Sequence, residues 1–112
     1  MNKISFADIG AVTATFMTEG EVQGGQVVKL TGNGKVGPCL DNDKFCGAAL
    51  TPRLGAAAVQ VKGFVEVPCS GSITPGWAVL AADGRGGVKT APSGVNVLVV
   101  SAEPDGTAVL CL

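Results

Sequence analysis

The chain has 112 residues, enough for one domain and too few for two. Apolar residues make up 46% and charged residues only 15%, with a net charge of −1, which excludes a disordered chain and leaves little charge to oppose self-association. The eight Lys and Arg are scattered singly, aromatics are few and histidine is absent, so a nucleic-acid footprint, a Ser-His-Asp or Cys-His catalytic set and a histidine metal site are all excluded within this chain.

The N-terminal stretch MNKISFADIGAVTATFM has no continuous apolar core, and no segment approaches the roughly 20 apolar residues of a membrane helix. The expectation is a chain made in the cytosol, with no membrane partner and with reduced cysteines. Residues 1–17 read as an arm or an edge strand. The arm carries Ile4, Phe6 and Ile9, without the turn spacing found further on, and its apolar side chains are candidates for an interface with a neighbour.

Along the chain the dominant period is two. Strands are expected over Ala11–Met17, Gln26–Leu30, Lys35–Pro38, Lys44–Ala49, Gln60–Val67, Ala78–Ala81, Gly87–Thr90, Val95–Ser101 and Thr107–Leu112. Turn pairs separate them, among them Gly24-Gly25, Asp41-Asn42, Pro75-Gly76, Asp83-Gly84 and Asp105-Gly106. In Gln60–Val67, Val61, Gly63, Val65 and Val67 share one face, and Phe64 interrupts the polar side made by Gln60, Lys62 and Glu66. No helix of ten residues is visible. The fold class is therefore all-β, a small barrel or barrel-like sandwich.

An internal repeat runs at an offset of 51 residues. Gly20, Val22, Gly25 and Val28 align with Gly71, Ile73, Gly76 and Val79, and Gly55 and Ala57 align with Gly106 and Ala108 without a gap. Two similar halves are expected, 18–67 and 69–112, each giving about four strands to one barrel. Val22 and Ile73 should hold equivalent core positions, each just before a tight turn.

Several segments imitate chemistry and fall short of it. Val67–Ser72 sets Cys69 beside two serines but has no base and is not a nucleophile elbow. Asp41–Cys46 begins like a calcium loop, then places Cys46 where Gly is required and Pro52 where Glu is required. Thr31–Gly37 is Gly-rich but not a Walker loop, and no helix follows it. Cys39, Cys46, Cys69 and Cys111 lack the paired spacing of a zinc knuckle and read as small apolar residues. No catalytic residue, metal site or cofactor is expected. Trp77, the only Trp, follows the Pro75-Gly76 turn, and its repeat counterpart is the polar Gln26. It is either a barrel-end cap or an interface anchor.

The second half runs as a Val61-x-Gly63-x-Val65-x-Val67-Pro68 strand, then Gly71-x-Ile73-x-x-Gly76-x-x-Val79, an Asp83-Gly84 turn with Val88, an apolar strand with Val97 and Val99, and a terminal Gly106-x-x-Val109-x-x-Leu112 strand. The first half is similar, with Gly20 to Leu30, a Gly-rich hairpin and Phe45–Ala49. This order resembles the small β-barrel proteins that decorate or cement phage and prophage capsids, over about residues 18–112. Trp77 departs from the polar residue usual after the second Gly. The resemblance implies a non-enzymatic protein on the outer surface of the virion, with the major capsid protein as partner. It also implies a homo-oligomer, a trimer favoured. Two alternatives remain: a lipoyl- or biotinyl-like carrier domain, with Lys44 after Asp43 as the modified lysine, and a tail or baseplate component.

Overall fold

The computed structural model describes residues 9–103 and 106–112, and among them it contains ten strands and no helix. The strands are β1 (Val12–Thr18), β2 (Val27–Gly32), β3 (Lys35–Pro38), β4 (Gly47–Arg53), β5 (Ala56–Lys62), β6 (Phe64–Pro68), β7 (Gly76–Ala82), β8 (Val88–Thr90), β9 (Val95–Ala102) and β10 (Thr107–Cys111). The first five form a closed barrel in the order β1-β3-β2-β4-β5, with β1 paired antiparallel to β5 and parallel to β3. The last five form a second sheet in the order β6-β10-β9-β7-β8. A single parallel bridge between Cys69 and Val88 takes the place of the β1–β3 seam.

The 51-residue offset reappears as strand pairing. Adding 51 to both partners of the β1–β5 pairs Thr13↔Gln60 through Met17↔Ala56 gives Phe64↔Cys111 through Pro68↔Thr107, the β6–β10 pairs. The turn that closes each unit repeats as well. Thr18 N–H donates to Gly55 O at 3.1 Å, and Cys69 N–H donates to Gly106 O at 2.7 Å. Val22 and Ile73 are each 9% exposed, and Gly25 and Gly76 after them both have positive φ, 83° and 121°. The likeness lapses at Val28, which is buried in the barrel, and Val79, which faces outward.

Each half thus has five strands and a sheet of its own, where about four strands in one shared barrel are expected from the repeat. The boundary also moves. Residues 12–17 of the expected arm belong to β1, and Phe64–Pro68 belongs to the second sheet, so the halves are 12–62 and 64–111. The single strand expected over Gln60–Val67 is two strands turning at Gly63. Its φ is +95°, and a Cβ there would stand 2.5 Å from Gly10 O. That close approach and that backbone angle suit only glycine.

Gln60 fixes this corner. It is 1% exposed, and its Nε2 donates to Lys62 O at 3.1 Å and to Phe64 O at 3.0 Å, on either side of Gly63. A buried amide is tolerated because it is hydrogen-bonded.

The core has two parts. Val22, Val28, Val36, Ala49, Ala57 and Val59 fill the closed barrel, with Phe16 packed against them. Leu80, Leu110, Val65, Val67, Val97 and Val99 line the second sheet, and Val27, Cys39, Phe45 and Ala48 of the first half complete that cluster. Backbone bonds join the halves as well. Val27 N–H donates to Gly86 O, Asn42 N–H to Ala82 O and Ala82 N–H to Asp43 O, each at 2.9 Å. This explains why alternation fails at the end of β7, where Leu80, Ala81 and Ala82 are all buried. Leu80 and Ala82 point into the shared core, and the backbone of Asn42 and Asp43 bonds the end of β7 at Ala82. The radius of gyration, 13.0 Å, matches the roughly 13 Å of one domain of this size.

Candidate interaction surface

The polar clusters serve the fold. Asp83 Oδ2 accepts from Ser70 Oγ at 2.5 Å, while Oδ1 accepts from Arg85 N–H at 2.7 Å and Gly87 N–H at 3.0 Å. Partial burial works against its charge, but these three bonds and the nearby Arg85 outweigh it and hold the carboxyl below the usual range. Such a carboxylate is a poor base for Ser70 near neutral pH. It clamps the loop between β7 and β8 instead.

The loop after β3 is likewise engaged. Asp43 Oδ2 accepts from Lys29 Nζ at 2.5 Å and from Leu40 N–H at 2.8 Å. The Lys29 bond, seconded by the Leu40 amide, lowers the Asp43 carboxyl, and the same contact raises Lys29. Asp41 Oδ1 lies 2.7 Å from Lys89 Nζ on the second half. Both carboxylates of the calcium-like segment therefore face lysines. Lys44 sits exposed between β3 and β4, in a loop docked on β7 and not at a hairpin tip.

None of the four cysteines is in a disulfide. Burial pushes Cys39 up to about 11, with the Asp43 charge adding to the effect, and burial also raises Cys46. Among the described residues no three His, Cys, Asp or Glu side chains gather to hold a metal. The hollow of about 440 Å³ between the β6–β7 loop and the end of β9 is lined by Cys69, Gly71, Ser72, Ile73, Thr74, Ala102 and Glu103, with Glu103 the one carboxylate among the described residues there.

What the surface does offer is apolar. Trp77 is 73% exposed on the outer face of β7. Directly opposed residues in antiparallel strands share a face, and the pairs Trp77↔Leu98, Leu98↔Cys111 and Cys111↔Phe64 run a continuous row across four strands. Phe64, which interrupts the polar face in the sequence, is the far end of the row that Trp77 begins. The opposite side of the same strands carries the buried Leu80, Val97, Val99, Leu110 and Val65.

A second apolar group marks one end of the closed barrel. Met17, 60% exposed, pairs with both Ala56 and Lys35. Leu54, fully exposed, is at the tip of the β4–β5 hairpin, between the paired Arg53 and Ala56. Leu30, 57% exposed, precedes the β2–β3 hairpin whose Lys35 meets Met17. Met17 and Leu54 thus flank one end of the barrel, where Thr18 N–H also donates to Gly55 O, while Leu30 is exposed on β2 opposite Val36. Single exposed apolar residues are ordinary, but a group at one site marks an interaction surface.

Of the interface candidates that the sequence suggests, Trp77 and Ile9 are both exposed. Ile9 O accepts from Phe64 N–H at 3.0 Å, so this part of the arm docks on its own chain at the Gly63 corner. Ile4 and Phe6 lie outside the described residues. The sequence pattern does not single out Met17, Leu30 and Leu54. Leu54 carries a usable signal all the same, a large apolar residue immediately before the glycine of a tight turn. No protein-family model matches the chain, and comparison with curated proteins gives no match.

Proposed function

We propose that this chain is a capsid decoration, or cement, protein of a bacteriophage or prophage. It binds the major capsid protein on the outside of the head and stabilises the shell without catalysing a reaction. The observation that carries the reading is the exposure of the large apolar side chains Met17 and Leu54 at one end of the closed barrel, with Leu30 exposed on β2. The resemblance of residues 18–112 to decoration proteins names the partner. The polar clusters bind the protein's own loops, which leaves the apolar surface as its means of engaging other molecules.

The mechanism is linkage. A ligand that binds the assembled shell and not its free subunits stabilises the shell by RT ln(1 + [L]/Kd) per site, about 2.7 kcal/mol when [L] is 100 Kd. Repetition over the lattice multiplies that modest term.

Co-sedimentation with phage heads lacking this protein tests the proposal. Saturable binding at a fixed number of copies per shell is expected, with no binding to unassembled capsid subunits. Failure to pellet with heads, or equal affinity for free subunits, overturns it.

A further inference from the structure

The Gly-rich segment Thr31–Gly37 turns at Asn33-Gly34, the one Asn-Gly pair in the chain. Gly32 of β2 pairs with Lys35 of β3, so Asn33 and Gly34 form the tip of the hairpin. Every residue from Thr31 to Lys35 is exposed. Gly34 has a φ of +67°, and nothing beyond its chain neighbours lies within 4 Å of the place a Cβ would take. Among the described residues no hydrogen bond engages its N–H.

A side-chain amide followed by such a nitrogen has a reaction open to it. When the Gly34 N–H gives its proton to a solvent base, the nitrogen attacks Asn33 Cγ. A C–N bond forms, the side-chain nitrogen leaves as ammonia, and a succinimide ring closes. Water then opens the ring. Hydrolysis at Cγ gives aspartate, and hydrolysis at the main-chain carbonyl gives isoaspartate, whose backbone runs through Cβ and Cγ. Water is the only co-reactant. Glycine favours the attack because no Cβ crowds its nitrogen and its backbone rotates freely.

The rest of the described chain lacks these conditions. After Asn42 the next nitrogen is engaged, since Asp43 N–H donates to Leu40 O at 3.1 Å. Asn96 is inside β9, opposite Val79, and the stiff, β-branched Val97 follows it. Asp83-Gly84 is open to the same ring closure in principle, but both Asp83 oxygens are held by Ser70, Arg85 and Gly87.

We propose that Asn33 is a site of spontaneous deamidation, and that isoaspartate formed there loosens the seam closing the first barrel. Gly34 O accepts from Met17 N–H at 2.9 Å. The seam is short, because β1 meets β3 only at Met17↔Lys35 and Thr18↔Val36. Isoaspartate adds a methylene to the main chain directly before Gly34. Hairpin register depends on the length of the turn, so the added atom moves that carbonyl away from Met17. Aspartate leaves the backbone path as it was. The inference concerns the chain alone and stands apart from the capsid reading.

The full chain, kept folded in warm, mildly alkaline buffer and sampled over weeks, tests it. Peptide mapping and methyl transfer by an isoaspartyl methyltransferase measure the conversion. Among the described residues the label should be confined to the Asn33 peptide. Its rate should be within about tenfold of that in the urea-unfolded chain, because an exposed hairpin tip opens at little cost. Asn33→Gln changes an exposed side chain, and circular dichroism should confirm its fold. It should abolish the label over the same period, since Gln needs a larger ring. Hydrogen exchange reads the seam. In the isoaspartate fraction the Met17 amide should exchange roughly five- to tenfold faster, the scale of one lost hydrogen bond. Freshly prepared Asn33→Asp should keep the parent's protection. A folded chain that converts more slowly than that limit, or a label at this peptide that survives Asn33→Gln, overturns the proposal. So does an isoaspartate fraction with the parent's protection at Met17.

Discussion

Replacing Gln60 with Leu tests how the two halves are joined. The side chain is 1% exposed and spans the Gly63 corner through bonds of 3.1 and 3.0 Å to Lys62 O and Phe64 O. Leu keeps most of the volume and removes both donors. Two neutral hydrogen bonds contribute about 1 kcal/mol each, and two carbonyls deprived of a donor in a buried corner add a desolvation penalty of similar size, so a loss of about 2 to 4 kcal/mol is expected. Urea denaturation followed by Trp77 fluorescence and by circular dichroism measures it. Gln60→Glu sharpens the test. A carboxylate facing two carbonyls is disfavoured, so its folded pKa must lie above the ordinary value of about 4.3. The deficit of that variant should be small below about pH 4, where the protonated acid donates one bond, should grow as pH rises above the unfolded value of about 4.3, and should level off once pH passes the folded pKa. A Leu variant within about 0.5 kcal/mol of the parent, the scatter of ordinary surface changes, would refute the assignment of Gln60 as the corner's clamp.

Other consequences follow from the same contacts. Asp83 has a lowered folded pKa, so its contribution is present above its unfolded value of 3.8 and is lost as pH falls through the folded one. Asp83→Asn should flatten the acid limb of the stability curve and cost about 1 to 2 kcal/mol near neutral pH, as charge-assisted bonds are lost. With its thiol pushed up to about 11 from 9.0, Cys39 should be alkylated about a hundredfold more slowly at pH 8 than a thiol of ordinary pKa, and mass mapping after brief iodoacetamide treatment would show it. Leu54→Ala and Met17→Ala remove exposed side chains, so each should leave the thermal midpoint almost unchanged while weakening head binding by roughly tenfold.

The all-β class and the two-fold repeat are legible in the sequence because alternation and turn glycines are local signals. Val65 and Val67 alternate with Glu66 in the chain and do so in the fold. The Gly63 corner is not legible. Alternation passes through Gly63 without a break, and only the approach of Gly10 and the buried Gln60 reveal the turn. The start of β5, Ala56–Ala58, escapes a sequence reading because three alanines carry no strand propensity. Ala57 is there for space, opposite the bulky Phe16 inside a narrow barrel. Alternation also fails at the end of β7, where Ala82 packs in the shared core while the Asn42 and Asp43 backbone bonds it from the other half. Trp77 stands out by its singularity, but its role as one end of a row depends on the registers of β7, β9, β10 and β6, which no single strand encodes. The exposed Met17 and Leu54 likewise come together only through the pairing of β1 with β5, far apart in sequence.

The thermal release of DNA from heads with and without this protein tests the central claim most directly. The account predicts release at a higher temperature when the sites are filled, with the gain rising with protein concentration and falling away for a Met17→Glu, Leu54→Glu double variant that still folds. Release at the same temperature with and without bound protein would contradict it.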